Sequence, residues 1–419
     1  MIMALGIVAV IILVGGAIDF GRVVQLRANL QDAADVASVG SIAVNSVAYK
    51  VGVQMNGNGT LSGGAEQALG IFNSNYRPAG ELSAVSPSAT VSKTASVMTA
   101  TVSVTANYKS YILGMIGLGT IPLSVNSISS STVPPYIDFY LLLDNSPSMG
   151  VGATTADIAM MVANTTGKCA FACHEDDKPG TDNYAKAKTL GVTMRIDVVR
   201  KATQNLMATA KATETISNQY RMAIYHFGLS ANSIDPKNPG AYKVSDLTPD
   251  LSKSASDASA IDLMTIPSPG YNSDRQTNFD TVLKDMNNEI KNPGDGMSAG
   301  SPQKVLFFVS DGATDSYDCA YSNGNPCRRV TPLDTKTCKV LKNRGVRIAV
   351  LYTTYLPLPT DGFYNSWMAK YVAAPSQIAS QMQDCASDGL YFEVSPSQGI
   401  SAAMTALFQR VVSVVRINS

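Results

Sequence analysis

One short segment constrains the fold of this chain more than any other: a largely apolar run that ends in a cluster of oxygen-bearing side chains. The run covers residues 137–143 and is typical of a β-strand buried on both faces of a sheet. Asp144, Ser146 and Ser148 follow it with the spacing D-x-S-x-S. Parallel α/β sheets bind ligands at the carboxyl ends of their strands, and carboxylate and hydroxyl oxygens suit a hard divalent cation. The segment therefore predicts a metal-binding loop, with an Asp/Ser cap of the next helix as the alternative.

Two later segments place further oxygen-bearing side chains where the same sheet would present them. Residues 305–309 predict a second buried strand, and Asp311 lies just after its carboxyl end. Thr277 precedes a helical pattern of apolar residues that begins at Phe279, so we expect it in the loop before that helix. These positions add one carboxylate and one hydroxyl to the first loop.

Together the three loops resemble the metal-ion-dependent adhesion site of the von Willebrand factor A (vWA) family. The resemblance implies a doubly wound, mainly parallel α/β sheet. It also implies that Ser146 and Ser148 coordinate the metal directly, with Thr277 joining them in one state. Asp144 and Asp311 would then bond through water. Mg²⁺ is the first expectation for the ion, and the same ligands would accept Mn²⁺ or Ca²⁺.

The remainder of residues 133–419 alternates between strand and helix patterns, as such a sheet requires. Strands are predicted at 219–227, 347–352 and 391–394, and an amphipathic helix follows from residue 400. We expect an insertion in the first helix of the vWA-like region, at about residues 151–190.

The amino terminus predicts a membrane-spanning helix. Residues 1–18 carry no charge, and as a helix they would rise about 27 Å, close to the hydrocarbon thickness of a bilayer. A cleaved signal peptide is the competing interpretation, but neither a basic start nor a small-residue cleavage site is evident. Arg22 and Arg27 follow the span, so the positive-inside rule alone would place the body in the cytoplasm. The abrupt apolar start, as if a basic leader preceded it, and the cysteines favour an extracytoplasmic body instead.

An amphipathic helix is expected to continue directly from this span, because Leu26, Leu30 and Ala33 recur at helical spacing. Residues 15–22 (G-G-A-I-D-F-G-R) and 26–35 (L-R-A-N-L-Q-D-A-A-D) resemble the amino-terminal helix of TadE/TadG-like proteins of the tight-adherence (Tad, Flp) pilus system. A TadG-type protein joins such a helix to a vWA domain, so the resemblance extends over the whole chain. No prepilin cleavage motif is visible.

The region between the helix and the vWA-like part predicts a small antiparallel sheet. Apolar and polar residues alternate from Met98 to Tyr108, as in a half-buried strand, and again through Ile121, Leu123 and Val125. The expected organisation is a transmembrane and amphipathic helix (1–44), a small pilin-like β region (45–132) and a vWA domain (133–419).

The six cysteines form an even set, and all lie in the vWA-like region. Outside the cytoplasm an even set indicates disulfide bonds, whose pairing the sequence does not determine uniquely. Local spacing favours two pairs and leaves a third, namely Cys319 with Cys327, Cys169 with Cys173, and Cys338 with Cys385.

One pair belongs to the pattern C-x-x-x-C-H, formed by Cys169, Cys173 and His174. This pattern is one residue longer than the c-type haem attachment motif, so a haem or redox role is an alternative function. The polar loop at residues 175–180 offers no apolar surround for a haem, which favours a disulfide-stapled insertion. His226 follows an apolar strand and is expected in the core or at its rim.

Composition and motifs exclude several other functions. Basic and acidic residues balance at 32 each, so nucleic-acid binding has no support. The sequence contains no G-x-S-x-G, H-E-x-x-H or Walker pattern, and two histidines limit acid–base chemistry, so we do not expect an enzyme.

The sequence therefore predicts a metal-dependent binding protein of the Tad pilus system, acting in pilus assembly or adhesion. It would be anchored in the inner membrane of a bacterial cell envelope with an extracytoplasmic body, or associated with the pilus. The expected partner is another pilus component or a surface protein that presents a carboxylate. A purely structural, minor-pilin-like subunit is the remaining alternative.

Overall fold

The computed structural model describes residues 2–55, 57–116, 119–227, 240–266, 268, 277–318, 320, 327–355, 357–395 and 399–417. Within these ranges, the side chains of residues 2–12, 115–116, 317 and 413–417 lie outside the description. The chain forms two compact units, Met1–Pro134 and Pro135–Asn418.

The first unit consists of helices and one antiparallel sheet. Its strands are neighbours in chain order, and each pair is antiparallel. The helices are α1 (Ile2–Ser41), α2 (Val47–Gln54) and α3 (Gly64–Asn75), and the strands are β1 (Gly59–Thr60), β2 (Leu82–Thr94), β3 (Val97–Lys109) and β4 (Thr120–Thr132).

The core of the first unit confirms the alternation predicted for β3 and β4. Every second residue of β3 from Met98 to Tyr108 is buried, while the residues between them are at least partly exposed. The buried face packs against Leu26 and Leu30 of α1 and Phe72 of α3. The apolar stripe of α1 therefore packs against the sheet, and this packing removes the apolar surfaces of both elements from water.

Helix α1 is continuous, as predicted for a helix that runs on past Asp19. Among the described residues, no helix combines the length and the apolar character needed to cross a bilayer. Of the predicted span at residues 1–18, Met1 and the side chains of residues 2–12 lie outside the described part of the chain.

Asp19 is buried against the sheet and is only 2% exposed. Its carboxylate accepts hydrogen bonds from Tyr108 Oη at 2.8 Å, Ser110 Oγ at 2.6 Å, and the backbone N–H groups of Ile112 and Leu113 at 3.2 and 2.9 Å. Burial alone would raise the pKa of Asp19, but these four donors outweigh it and lower the pKa to about 2. The ionised carboxylate therefore ties α1 to the segment after β3.

The second unit is a six-stranded sheet with helices on both faces. The sheet strands are β5 (Ile137–Leu143), β7 (Tyr220–His226), β8 (Tyr242–Thr248), β10 (Gln303–Ser310), β13 (Arg347–Thr353) and β14 (Tyr391–Val394). Two small ladders lie outside it: β6 (His174–Glu175) with β9 (Thr265–Ile266), and β11 (Ala313–Tyr317) with β12 (Arg328–Pro332). The helices are α4 (Thr155–Asn164), α5 (Asn183–Thr189), α6 (Arg195–Thr213), α7 (Leu251–Asp257), α8 (Phe279–Glu289), α9 (Lys336–Asn343), α10 (Ala369–Val372), α11 (Gln377–Cys385) and α12 (Ile400–Ile417).

The order of the sheet is β14-β13-β10-β5-β7-β8. The first five strands are parallel, whereas β8 pairs with β7 in the antiparallel direction. The predicted α/β fold is confirmed, and the sheet is mixed because of this edge strand. Five parallel strands agree with the predicted mainly parallel sheet, and the doubly wound arrangement stays a prediction.

Alternate residues of β5 serve two separate cores. Phe139 and Leu141 pack with residues of α6 and α12 on one face, while Tyr140 and Leu142 pack with residues of α8 and α9 on the other. Both faces of the strand are therefore buried, which is why its sequence is a nearly continuous apolar run.

The predicted disulfide between Cys338 and Cys385 is confirmed, with the Cα atoms 5.2 Å apart. It joins α9 to the end of α11. Cys327 is also disulfide-bonded, but its predicted partner Cys319 lies outside the described residues.

The predicted bond between Cys169 and Cys173 is not present in the structure, and Cys169 retains its thiol. The local backbone offers a reason: Phe171, between the two cysteines, forms an antiparallel bridge with Val151, and Cys169 itself has extended angles, φ −71° and ψ 126°. Four extended residues separate Cα atoms by up to about 13 Å, beyond the reach of a disulfide. Sequence spacing did not reveal this conformation.

Candidate metal centre

Two of the three predicted loops leave the sheet side by side. Strands β5 and β10 are parallel neighbours, with Leu143 opposite Val309 at their carboxyl ends. Because adjacent strands lie about 4.8 Å apart, Asp144 and Asp311 emerge next to each other at one edge. Asp144 N donates to Val309 O at 2.9 Å, which extends the ladder by one residue and fixes the start of the first loop.

The Asp144 carboxylate organises the hydroxyl groups of the first loop. Its Oδ1 accepts hydrogen bonds from Ser146 N at 2.9 Å and Ser146 Oγ at 2.6 Å. Its Oδ2 accepts one from Ser310 Oγ at 2.6 Å, and the Oγ atoms of Ser146 and Ser148 lie 3.1 Å apart. Ser310 was not among the predicted site residues, although it stands directly before Asp311. The D-x-S-x-S spacing therefore brings the oxygen atoms of Asp144, Ser146 and Ser148 together.

The loop turns tightly after Ser146, where Pro147–Gly150 forms a short 3₁₀ helix with the proline in its first turn. Proline presets the backbone angle that such a turn requires. Met149 N donates to Ser146 O at 2.8 Å and closes the turn. This turn brings the Ser148 hydroxyl next to that of Ser146, whereas the Cα atoms of two such residues lie roughly 7 Å apart in an extended strand.

Thr277 is held in place by backbone hydrogen bonds to Asp315 of β11. Thr277 N donates to Asp315 O at 2.8 Å, and Asp315 N donates to Thr277 O at 3.0 Å. The next residue, Asn278, caps α8 by accepting from Thr281 N at 3.0 Å. Thr277 is 5% exposed and lines the same cavity as Ser148, so the third loop borders the cavity that the first loop also borders.

Asp311 is fully buried, and its Oδ2 atom has no hydrogen-bond partner in the described part of the chain. The hydroxyl groups of Ser148 and Tyr355 lie against its carboxyl group. Gly312 follows with φ of 72°, and this left-handed conformation turns the chain away from the strand. A buried carboxylate oxygen without a hydrogen-bond donor is costly, so the negative charge of this atom depends on a nearby cation.

The two carboxyl groups of the site perturb each other. Burial and the nearby charge of Asp311 raise the pKa of Asp144 to about 7. Burial also raises the pKa of Asp311, against the opposing effect of Arg195. Two carboxylates held together away from water favour either a proton or a cation between them. The donor set of two carboxylates and three hydroxyls thus fits a hard divalent cation.

Arg195 is the charged residue of the site that the sequence analysis missed. It is fully buried, its Nη1 atom lies 3.6 Å from Asp311 Oδ2, and its guanidinium group lies 5.1 Å from the ring centroid of Tyr355. None of its side-chain nitrogens has a hydrogen-bond partner among the described residues. The available signal was its position, since Arg195 stands at helical spacing with Val199, Ala202 and Leu206 on the buried face of α6.

No other set of side chains in the described residues forms a metal site as well suited as this one. Within the described ranges, no group of three or more His, Cys, Asp and Glu side chains is arranged to hold an ion. His174 Nδ1 pairs with Asp182 Oδ2 at 2.9 Å, and its ring stacks on Tyr184 at 4.2 Å. The haem or redox role of the C-x-x-x-C-H pattern stays an alternative prediction, and no metal-binding cluster in the described residues supports it.

Comparisons with known proteins agree with the sequence at the amino terminus. Residues 1–41 match the family model described as "Putative Flp pilus-assembly TadE/G-like". This match confirms the predicted resemblance of the amino-terminal helix. Among curated proteins, no match was found.

Several solved structures are similar to this chain. The vWF domain of the type V pili tip protein Mfa5 from Porphyromonas gingivalis is 12% identical, with a TM-score of 0.33, over 68% of this chain and 97% of that one. The PilB minor pilin from Streptococcus sanguinis is 11% identical, with a TM-score of 0.35, over 80% of this chain and 78% of that one. A von Willebrand factor type A structure from Catenulispora acidiphila is 9% identical, with a TM-score of 0.28, over 76% of this chain and 46% of that one.

Proposed function

We propose that the protein is a binding subunit of a Tad/Flp pilus system and that it holds a partner protein through a divalent cation. The observation that carries the proposal is the fully buried Oδ2 atom of Asp311, which makes no hydrogen bond among the described residues and has only the Arg195 guanidinium, 3.6 Å away, against two neighbouring carboxyl groups. Ser146, Ser148 and Thr277 would provide neutral oxygen ligands, and the two aspartates would bond through water. Mg²⁺ is the expected ion.

Charge explains why such a centre would attract an acidic partner. Asp144 and Asp311 contribute two negative charges, while Arg195 contributes one positive charge next to Asp311. A bound dication would leave the buried site with a net positive charge. A coordination position that the protein leaves open would therefore favour a carboxylate of the partner.

The proposed role is binding and not catalysis. The Ser146 hydroxyl is bonded to the Asp144 carboxylate and lies beside the Ser148 hydroxyl, so the described contacts give it no imidazole base. A serine nucleophile requires a base within hydrogen-bond distance. These hydroxyls are therefore better suited to holding an ion than to attacking a substrate.

The proposed location is the bacterial cell envelope, with residues 1–18 as an inner-membrane anchor and the second unit outside the cytoplasm, or associated with the pilus. The match of residues 1–41 to a pilus-assembly family supports a location in the cell envelope or at the pilus. The disulfide between Cys338 and Cys385, together with the bonded state of Cys327, supports an oxidising compartment. Other pilus components or a surface protein are the expected partners.

Titration of the full chain with MgCl₂ by isothermal calorimetry tests the metal centre. Wild-type protein should bind the ion, and Asp144→Ala should lose this binding while keeping its far-UV circular dichroism. Asp246→Ala is the matched control, because Asp246 is exposed on β8 and is not part of the site. Absence of binding in the wild type under these conditions would refute the proposed centre.

A second measurement separates binding from a purely structural role. Cells that lack the protein would be complemented with each variant and scored for pilus display and surface adhesion. The proposal expects Asp144→Ala to fail in adhesion or assembly and Asp246→Ala to succeed. If Asp144→Ala is folded and metal-free yet performs like the wild type, the protein is a structural subunit.

A further inference from the structure

A cavity of about 570 Å³ opens beside the candidate metal centre. Its lining includes Ser148 and Thr277, two of the proposed ligands, so a molecule bound to the ion would extend directly into it. The volume lies within the range of roughly 300–1,000 Å³ that is typical of ligand pockets. It is therefore larger than needed for one carboxylate group.

Aromatic and other apolar side chains form much of the cavity wall. Phe171 of the inserted segment and Phe363, which follows β13, both line it and meet edge to face at 6.4 Å. Tyr355, Met368 and Ile266 contribute further apolar surface. The segment that carries the C-x-x-x-C-H pattern thus has a structural role here, since it supplies one side of the cavity.

Four charged groups of the wall are paired with one another, and the carboxylates of Asp182 and Asp361 accept hydrogen bonds from backbone N–H groups instead. Arg328 bonds to both carboxylate oxygens of Asp315, at 3.0 and 2.5 Å, and its guanidinium group lies 5.2 Å from the Phe363 ring centroid. Lys178 Nζ lies 3.1 Å from Glu175 Oε2. A second negative charge on a ligand would therefore find no vacant cation in this wall, whereas an apolar side chain would meet aromatic surface.

One buried polar atom of the wall lacks a partner. Thr314 of β11 is 2% exposed, and its Oγ1 atom makes no hydrogen bond within the described part of the chain. It lines the cavity together with its neighbour Ala313. A backbone amide or carbonyl group of a bound peptide would satisfy this hydroxyl, which a purely hydrocarbon ligand would not.

We propose that the ligand of the metal centre is a peptide segment in which an acidic residue stands next to a large apolar residue. The acidic side chain binds the cation beside Ser148 and Thr277, and the apolar side chain fills the cavity against Phe171 and Phe363. The two halves follow from the two surfaces: the cation attracts the carboxylate, and the aromatic wall of the cavity receives the apolar side chain. This inference rests on the proposed function of the metal centre.

Fluorescently labelled glycine–serine peptides with a central Glu-Phe, Glu-Leu, Glu-Gly or Glu-Lys pair test the inference. Their binding to the full chain would be measured by anisotropy in Mg²⁺ and again in excess EDTA. We expect the Glu-Phe and Glu-Leu peptides to bind about 10- to 100-fold more tightly than Glu-Gly, because the apolar side chain is removed from water when it enters the cavity. All binding should require Mg²⁺.

A cavity-filling variant gives a second, independent readout. Thr181 lines the cavity and is exposed, so Thr181→Trp should occupy part of it without disturbing the core. This variant should keep the Glu-Gly affinity and lose the preference for Glu-Phe. Thr189→Trp is the matched control, since Thr189 is an exposed residue of α5 outside the cavity lining.

The outcomes separate the two proposals. Peptide binding that is unchanged by EDTA would overturn the proposed metal-dependent function. Mg²⁺-dependent binding with equal affinity for Glu-Phe and Glu-Gly would leave that function standing and overturn the cavity assignment. Tighter binding of Glu-Lys than of Glu-Phe would also overturn it, because it would show that the wall selects a cation.

Discussion

Arg195 provides the sharpest test of the electrostatics of the candidate centre. Its Nη1 atom lies 3.6 Å from Asp311 Oδ2, and both side chains are fully buried. At an effective dielectric constant of about 20, two unit charges at this distance attract by roughly 4–5 kcal/mol. The same positive charge repels an incoming dication. Arg195 should therefore stabilise the metal-free protein and lower its affinity for the metal.

The substitution Arg195→Met removes the charge and keeps an unbranched side chain of similar length. Without metal, it leaves two buried carboxyl groups with no counter-ion, and we expect a loss of about 3–5 kcal/mol in the free energy of unfolding. If a third of the ion-pair energy passes to the metal, about 1.4 kcal/mol, the dissociation constant for Mg²⁺ falls about tenfold. In saturating Mg²⁺ the loss should then shrink by the same ~1.4 kcal/mol, to about 2–4 kcal/mol.

Calorimetric titration with MgCl₂ and thermal unfolding with and without Mg²⁺ would measure both effects on the full chain. Arg195→Lys keeps the charge and should resemble the wild type in metal affinity. Arg200→Met is the matched control, because Arg200 lies on the same helix but pairs with Asp197 and Asp262. The reasoning is refuted if Arg195→Met is folded and binds Mg²⁺ no more tightly than the wild type.

Three further predictions concern the rest of the chain. Asp19→Asn should destabilise the first unit by about 2–4 kcal/mol at neutral pH, because the donors around it lose an ionised acceptor. The folded-state pKa of Asp19 is lowered from 3.8 to about 2, so this stabilisation is complete above about pH 4 and is lost as the pH falls towards 2. Denaturant unfolding across that window should show a pH dependence that Asp19→Asn lacks. Cys338→Ser should lower the free energy of unfolding by about 2–4 kcal/mol, and non-reducing peptide mapping of the wild type should recover the Cys338–Cys385 peptide. Protease added to intact spheroplasts should degrade the second unit, and full protection would contradict an extracytoplasmic body.

The strands that carry the centre were predictable because their sequences report burial directly. Residues 139–143 of β5 and 305–309 of β10 are apolar since both faces of these strands are covered. Parallel pairing then brings their carboxyl ends together whatever the loops contain. By contrast, β8 is a partly exposed edge strand, and its weak apolar pattern did not distinguish it from a loop.

What the sequence could not show depends on contacts between distant segments. Arg195 reaches Asp311 because α6 begins beneath the loops, and the cavity forms because Phe171 and Phe363 meet from segments far apart in the chain. Cys169 illustrates the opposite error, in which a short spacing suggested a bond that an extended backbone prevents. The five predicted oxygen ligands could be recognised from local sequence, because they stand at the ends of strands and helices. The groups that set their charge balance and their ligand preference come from tertiary packing, so variants of Arg195 and of the cavity wall will decide how the centre is used.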